Sequence, residues 1–165
     1  MEEDNNQLEK GIIGLCGEYA VASEICRRGH YAQITLGNLK STDILVFNPD
    51  SKKMIRIEVK SKQGKEWPNI KGIKDDNILI VFVDFQEKDL FSRPDFYILN
   101  NIAWFTLVDT LKTNPSFAGL EDDYIPLWKN RKTGELQGKY KGCGIKPNMI
   151  NEYKEKWDIL LDKLL

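Results

Sequence analysis

A single histidine, three cysteines without a CxxC pair, six prolines and no long apolar run set the first boundaries on this chain. One imidazole excludes a cluster of histidine metal ligands, and His30 next to Gly29 reads as a structural residue at a helix end. Cys16, Cys26 and Cys143 leave one thiol over if two were bridged, and with one histidine they make no usual zinc site, so free thiols are expected. The longest apolar stretch, Ile78 to Phe85, is broken by Asp84 and falls far short of the roughly 20 residues of a membrane span. The opening Met1-Glu2-Glu3-Asp4 lacks the basic start and apolar core of a secretory signal, and the expected location is cytoplasmic, with no membrane partner. A net charge of −1 excludes a protein that coats nucleic acid through bulk charge.

What is present is ordinary in amount and uneven in placement. The 165 residues, 41% hydrophobic and 30% charged, are expected to form a single domain over 1–165 with one core. Between Lys52 and Lys74 eight basic residues stand against Glu58 and Glu66, and between Lys129 and Lys146 six stand against Glu135. Such runs are usually solvated faces, unless chemistry lies between them.

Periodicity supplies the elements. Leu8, Ile12, Leu15, Tyr19, Ala22 and Cys26 recur at helical spacing and predict an amphipathic helix that stops near Gly29, with Cys16 and Cys26 in the core and Glu18 beside small or apolar neighbours. Tyr31 to Leu36, Thr42 to Phe47 and Met54 to Ser61 read as strands, the last two joined by the turn Asn48-Pro49-Asp50-Ser51. Ile78 to Asp84 and Phe96 to Leu99 read as buried strands, Ile102 to Leu111 as helix, and Pro147 to Leu165 as a terminal helix. The fold class expected is α/β: a mixed central sheet of about five strands flanked by helices.

The informative constellation is Asp43 followed by Glu58-Val59-Lys60. Strand residues alternate faces, so Glu58 and Lys60 point the same way. Unpaired charge aimed into a covered face costs several kcal/mol, and a bound cation would offset that cost. Mg²⁺ takes oxygen ligands and is commonly held by one or two carboxylates, a demand met by Asp43 and Glu58 with the Val59 carbonyl as a third oxygen. Lys60 would then orient or deprotonate an attacking water, in outline a metal-assisted phosphodiester hydrolysis. Lys62, Lys65, Lys71 and Lys74 would hold backbone phosphates, and Trp67 would stack on a nucleotide. The plainer alternatives are a same-face ion pair for Glu58 and Lys60, a solvated helix residue for Glu18, a turn or cap residue for Asp43, and core anchors for the tryptophans.

These residues resemble the PD-(D/E)XK nuclease superfamily, to which type II restriction enzymes and archaeal Holliday-junction resolvases belong. Gly14-Leu15-Cys16-Gly17-Glu18-Tyr19-Ala20-Val21-Ala22 is similar to the family's first helix with its glutamate, Thr42-Asp43-Ile44-Leu45-Val46 to the aspartate strand, and Ile57-Glu58-Val59-Lys60-Ser61 to the ExK strand. The match covers about residues 8 to 63, with Thr42 where the family's name has proline. The resemblance implies a restriction-endonuclease-like core in which Asp43 and Glu58 bind Mg²⁺ or Mn²⁺, Lys60 is the catalytic lysine, and Glu18 assists, binding or orienting the metal through water. It also implies an endonuclease acting on duplex or branched DNA, as a homodimer that cuts both strands. The rival expectation is a catalytically silent nucleic-acid-binding or protein-interaction module on the same fold, such as one in a defence or toxin-immunity system.

Overall fold

A computed structural model describes residues 9–36 and 41–165. The first helix, α1 (Lys10–Arg27), ends where Gly29 takes a left-handed backbone at φ +86°. The face it buries carries Ile13, Gly17, Val21, Glu24 and Ile25, not the stripe expected from its larger apolar residues. Ile12, Leu15 and Tyr19 are 50%, 48% and 62% exposed, Cys26 is exposed and Cys16 half-buried; Leu8 lies outside the described residues. The helix carries two candidate stripes, and close approach decides between them. Only the stripe containing Gly17 lets the helix backbone settle onto Val59 and Ser61 of the sheet.

The central sheet is built from β1 (Tyr31–Ile34), β2 (Ile44–Asn48), β3 (Lys53–Lys62), β5 (Ile78–Asp84) and β6 (Asp95–Leu99), in that spatial order. The β2–β3 hairpin turns where the Asn48 side chain accepts the Asp50 N–H at 3.0 Å. β3 and β5 run parallel and every other neighbouring pair is antiparallel, so the expected mixed five-stranded α/β sheet is what forms. A parallel pair needs a crossover, and here it contains a short strand, β4 (Trp67–Ile70), that leaves the sheet.

All seven residues of β5 are buried because both faces of the sheet are covered. On one face Leu79, Val81 and Val83 join Ile55, Ile57 and Val59 of β3 under Val21 and Ile25 of α1. On the other, Ile78, Ile80 and Phe82 join Trp67, Ile70 and the buried side of α2 (Asn101–Leu111), which Asn100 caps by accepting the Ala103 N–H at 2.9 Å. Among the described residues no helix is long and apolar enough to cross a membrane.

The second half departs from expectation. β7 (Phe117–Glu121), β8 (Ile125–Lys129) and β9 (Leu136–Lys141) form an antiparallel sheet of three strands, and β10 (Cys143–Ile145) pairs with β4. Glycine and proline inside these strands blur the alternation that reveals a strand in sequence. Cys143 is a buried residue of β10, and burial pushes its thiol up to about 12. The expected terminal helix is instead two 3₁₀ turns, Pro147–Met149 and Asn151–Tyr153, and a short α3 (Asp158–Leu164). Extended Lys154 and left-handed Glu155, at φ +57°, break the helix so that the Glu155 N–H can bond the Phe96 carbonyl of β6 at 2.8 Å.

Candidate active site

The ladder between β2 and β3 ends at the pair Ile44↔Ile57. Immediately before it, the Asp43 N–H donates to the Ile57 carbonyl at 2.8 Å, and the Asp43 carbonyl accepts the Thr35 N–H at 2.9 Å. The Val59 N–H donates at 2.6 Å to Oδ2 of Asp43, so a carboxylate stands where a strand carbonyl would otherwise be. This bond fixes the carboxylate against β3 at the point where the two strands part. Among the described residues Asp43 Oδ1 accepts no hydrogen bond and remains available.

Glu58 and Lys60 project from the β3 face opposite Ile57 and Val59, away from α1. Their side chains pair directly, Nζ to Oε1 at 2.5 Å, with Glu58 only 15% exposed and Lys60 35%. Glu18 stands half-buried on α1. Burial, and then the negative charge of Asp43, raise its carboxyl above the ordinary range, so the two acids lie within electrostatic reach. Of the sequence-derived residues, Asp43 thus stands across from Glu58, which pairs with Lys60, while Glu18 approaches Asp43 from α1 on the other face of β3.

Two others are not where expected. Lys62 is 4% exposed: its ammonium pairs with Asp84 Oδ1 at 2.5 Å, donates to the Gly64 carbonyl at 3.0 Å and lies over the Trp67 ring. An ammonium locked inside the protein cannot serve as a phosphate contact. Trp67 is 1% exposed, packed edge-on against Phe82 and Tyr97 with its indole N–H on the Val83 carbonyl at 3.2 Å. It is a core anchor and offers no face to a nucleotide. Lys65, Lys71 and Lys74 are exposed, Lys74 reaching the Asp122 carbonyl at 3.3 Å and lying over the Tyr124 ring.

Two cavities flank Lys60. One, of about 330 Å³, lies toward α1 and is lined by Lys10, Gly14, Lys60, Ser61 and Asn69. The other, of about 440 Å³, lies toward the β7–β8 turn and is lined by Glu58, Lys60, Asn69, Lys71, Asp122 and Tyr124. Burial, together with the charges of Asp122, Glu58 and Glu121, raises the Tyr124 hydroxyl above its usual value. Asn69, Tyr124 and the acidic turn escaped the sequence reading; the signal available was Pro68, which inside a strand marks an edge or a bulge.

Two carboxylates and a strand carbonyl are a donor set that fits Mg²⁺, which keeps several waters, and the mutual repulsion of Glu18 and Asp43 is what a cation there would relieve. Among the described residues no three His, Cys, Asp or Glu side chains stand together as a group that could hold a metal ion.

No protein-family model matches the chain, and no curated protein sequence matches it. Among solved structures the fold is similar to that of a bacterial homing endonuclease, which places this chain's architecture with that α/β fold. That structure is I-Ssp6803I; the two share 16% identity at a TM-score of 0.54, over 94% of this chain and 95% of the other. At that identity the likeness carries the fold alone.

Proposed function

We propose that this protein is a metal-dependent endonuclease of the PD-(D/E)XK type that hydrolyses DNA phosphodiester bonds. The carrying observation is the convergence of Asp43, Glu58 and Lys60 where β2 parts from β3, the Asp43 carboxylate being locked onto the Val59 N–H at 2.6 Å. Asp43, through its unengaged oxygen, Glu58 and the Val59 carbonyl would hold Mg²⁺ or Mn²⁺, with Glu18 acting through water. Such an ion, when bound, polarises the phosphoryl oxygens. Lys60 positions the attacking water and offsets the negative charge that grows on the phosphate as the bond breaks. Exposed Lys65, Lys71 and Lys74 hold backbone phosphates, a contact that needs no sequence reading. Two copies, one for each strand, would complete a cut through duplex or branched DNA.

The test is cleavage of labelled plasmid, linear, branched and single-stranded substrates with Mg²⁺, with Mn²⁺ and with chelator, wild type beside Lys60→Ala. Metal-dependent cutting that disappears in Lys60→Ala is the expected result; cutting indifferent to metal and to the substitution would sink the reading. A second reading, the silent binding or interaction module, draws on the direct Glu58–Lys60 ion pair, which satisfies both charges without a cation. Under it no substrate is cut, although Asp43→Ala still alters binding to a partner.

A further inference from the structure

β4 is not a regular strand. Trp67 pairs with Ile145 and Ile70 with Cys143, so two residues, Pro68 and Asn69, stand opposite the single Gly144 of β10. This is a bulge, and it has a cause on each side. Pro68 has no N–H to give the ladder, and Trp67 and Ile70, 1% and 3% exposed, are held in the core at either end. Gly144 leaves room opposite, where a Cβ would come within 3.2 Å of the Glu66 carboxyl group.

The bulge turns Asn69 outward. Its backbone sits in the left-handed region at φ +56°, where most side chains are strained, and its side chain is exposed. Among the described residues the amide makes no hydrogen bond, so neither a cap nor a turn accounts for it. Asn69 and Lys60 are the two residues common to both cavities, which places Asn69 on the wall where the cavities meet, with the candidate catalytic lysine. The remaining cations along that line are Lys10 in the first cavity and Lys71 in the second. On the acidic rim, Glu121 is already paired with Lys141 at 2.6 Å.

We propose that the two cavities form one groove for a nucleic-acid strand, and that Asn69 is a substrate-binding residue whose amide N–H donates to a backbone phosphate next to the one at Lys60. The inference rests on the nucleic-acid reading above and extends it to a residue outside the Asp43, Glu58 and Lys60 group. A phosphate suits the place better than a base edge because Lys10, Lys60 and Lys71 line the groove, while of its acids Glu58 and Glu121 are already paired with Lys60 and Lys141, leaving Asp122 on the rim; lysine ammoniums match repeated negative charge and carry no sequence information. Bulges beside active sites commonly re-aim one side chain, and asparagine is among the few residues that take the left-handed backbone readily.

The experiment measures affinity of metal-free protein, in chelator, for labelled single-stranded and duplex DNA of several unrelated sequences, with wild type, Asn69→Gly and Asn69→Asp. Glycine removes the amide while relaxing the left-handed backbone, so Asn69→Gly melts no lower than wild type and a binding loss is not a folding loss. The expected result is about a tenfold weaker affinity for Asn69→Gly and a larger loss for Asn69→Asp, equal across sequences. Binding by Asn69→Gly equal to wild type overturns the inference and leaves the nuclease reading to the Lys60→Ala assay. A loss confined to some sequences overturns the phosphate assignment in favour of a base contact. Uniform losses in a wild type that cuts nothing uphold the groove and reject the nuclease, and a wild type that binds no nucleic acid rejects both.

Discussion

Gly17 lies where α1 presses on β3, and a Cβ there would come 3.0 Å from the Ser61 Cβ and closer still to its Oγ. Among the described residues that Oγ is buried without a hydrogen-bond partner, one polar group for which the contact leaves no room. Ser61 follows Lys60 in β3, so the contact also fixes the backbone that carries the lysine. Alanine at position 17 would gain helix propensity but overpack the interface, and Gly17→Ala is expected to cost about 1–2 kcal/mol net. In a Ser61→Gly background the obstruction is gone, and the same substitution becomes stabilising. A urea-denaturation double-mutant cycle reads this as strong coupling, and simple additivity would show that the contact is not what selects glycine. Ser61→Ala alone, which removes an unpaired hydroxyl, is expected to stabilise by about 1 kcal/mol.

At the scale of elements, α1 is tied to the end of the chain by charge as well as by packing. Glu24, 7% exposed at its side chain, takes two hydrogen bonds from Arg93, at 3.1 and 2.9 Å, one from Arg28 at 2.6 Å and one from Arg27 at 3.1 Å, while Arg93 also grips Glu155 at 2.7 and 2.9 Å. The Arg93 hydrogen bonds, with that of Arg28, hold the Glu24 carboxyl down at about 2 against its ordinary 4.5. The sign follows directly: a depressed carboxylate stabilises fully above its unfolded value and loses that contribution as pH falls from about 4.5 toward 2. The contribution at neutral pH is about 3 kcal/mol. Glu24→Gln should therefore melt well below wild type at pH 7, the gap closing across that acid window; a gap independent of pH would remove the electrostatic account.

The sequence shows the strands of the main sheet because β-branched runs such as Ile78–Asp84 are continuous and covered on both faces. It shows Asp43, Glu58 and Lys60 because strand parity and a short hairpin carry them to one end. Parity also assigns Lys62 to the face of Glu58, but its burial depends on Asp84, a partner 22 residues away that no local pattern reveals. The buried face of α1 is hidden in the sequence for a related reason: a glycine contributes nothing to a hydrophobic stripe, yet Gly17 is what admits the helix to the sheet. The bulge at Asn69 depends on pairing with β10, more than 70 residues on, and is equally invisible locally.

For the molecule as a whole, the decisive question is whether the acidic end of β3 senses a cation, and stability can answer it without catalysis. In the protein described, Glu18 and Asp43 repel one another, and Glu58 is satisfied by Lys60 at 2.5 Å. A divalent ion that binds only the folded protein stabilises it by mass action, about 1.4 kcal/mol at ten times its dissociation constant. For a chain of this length that corresponds to a rise in Tm of about 3–5 °C. Thermal melts with Mg²⁺ or Mn²⁺ against chelator should show such a rise for wild type, and Asp43→Ala and Glu58→Ala should abolish it. Binding to the surface acids in general would shift all three proteins alike and would reject the site. The metal-free variants provide a further check, because the two substitutions act oppositely on what remains. Glu58→Ala leaves the Lys60 ammonium without its partner and should lower Tm. Asp43→Asn, which lifts the repulsion on Glu18 and keeps an oxygen for the Val59 N–H, should hold Tm or raise it while losing the response to the ion.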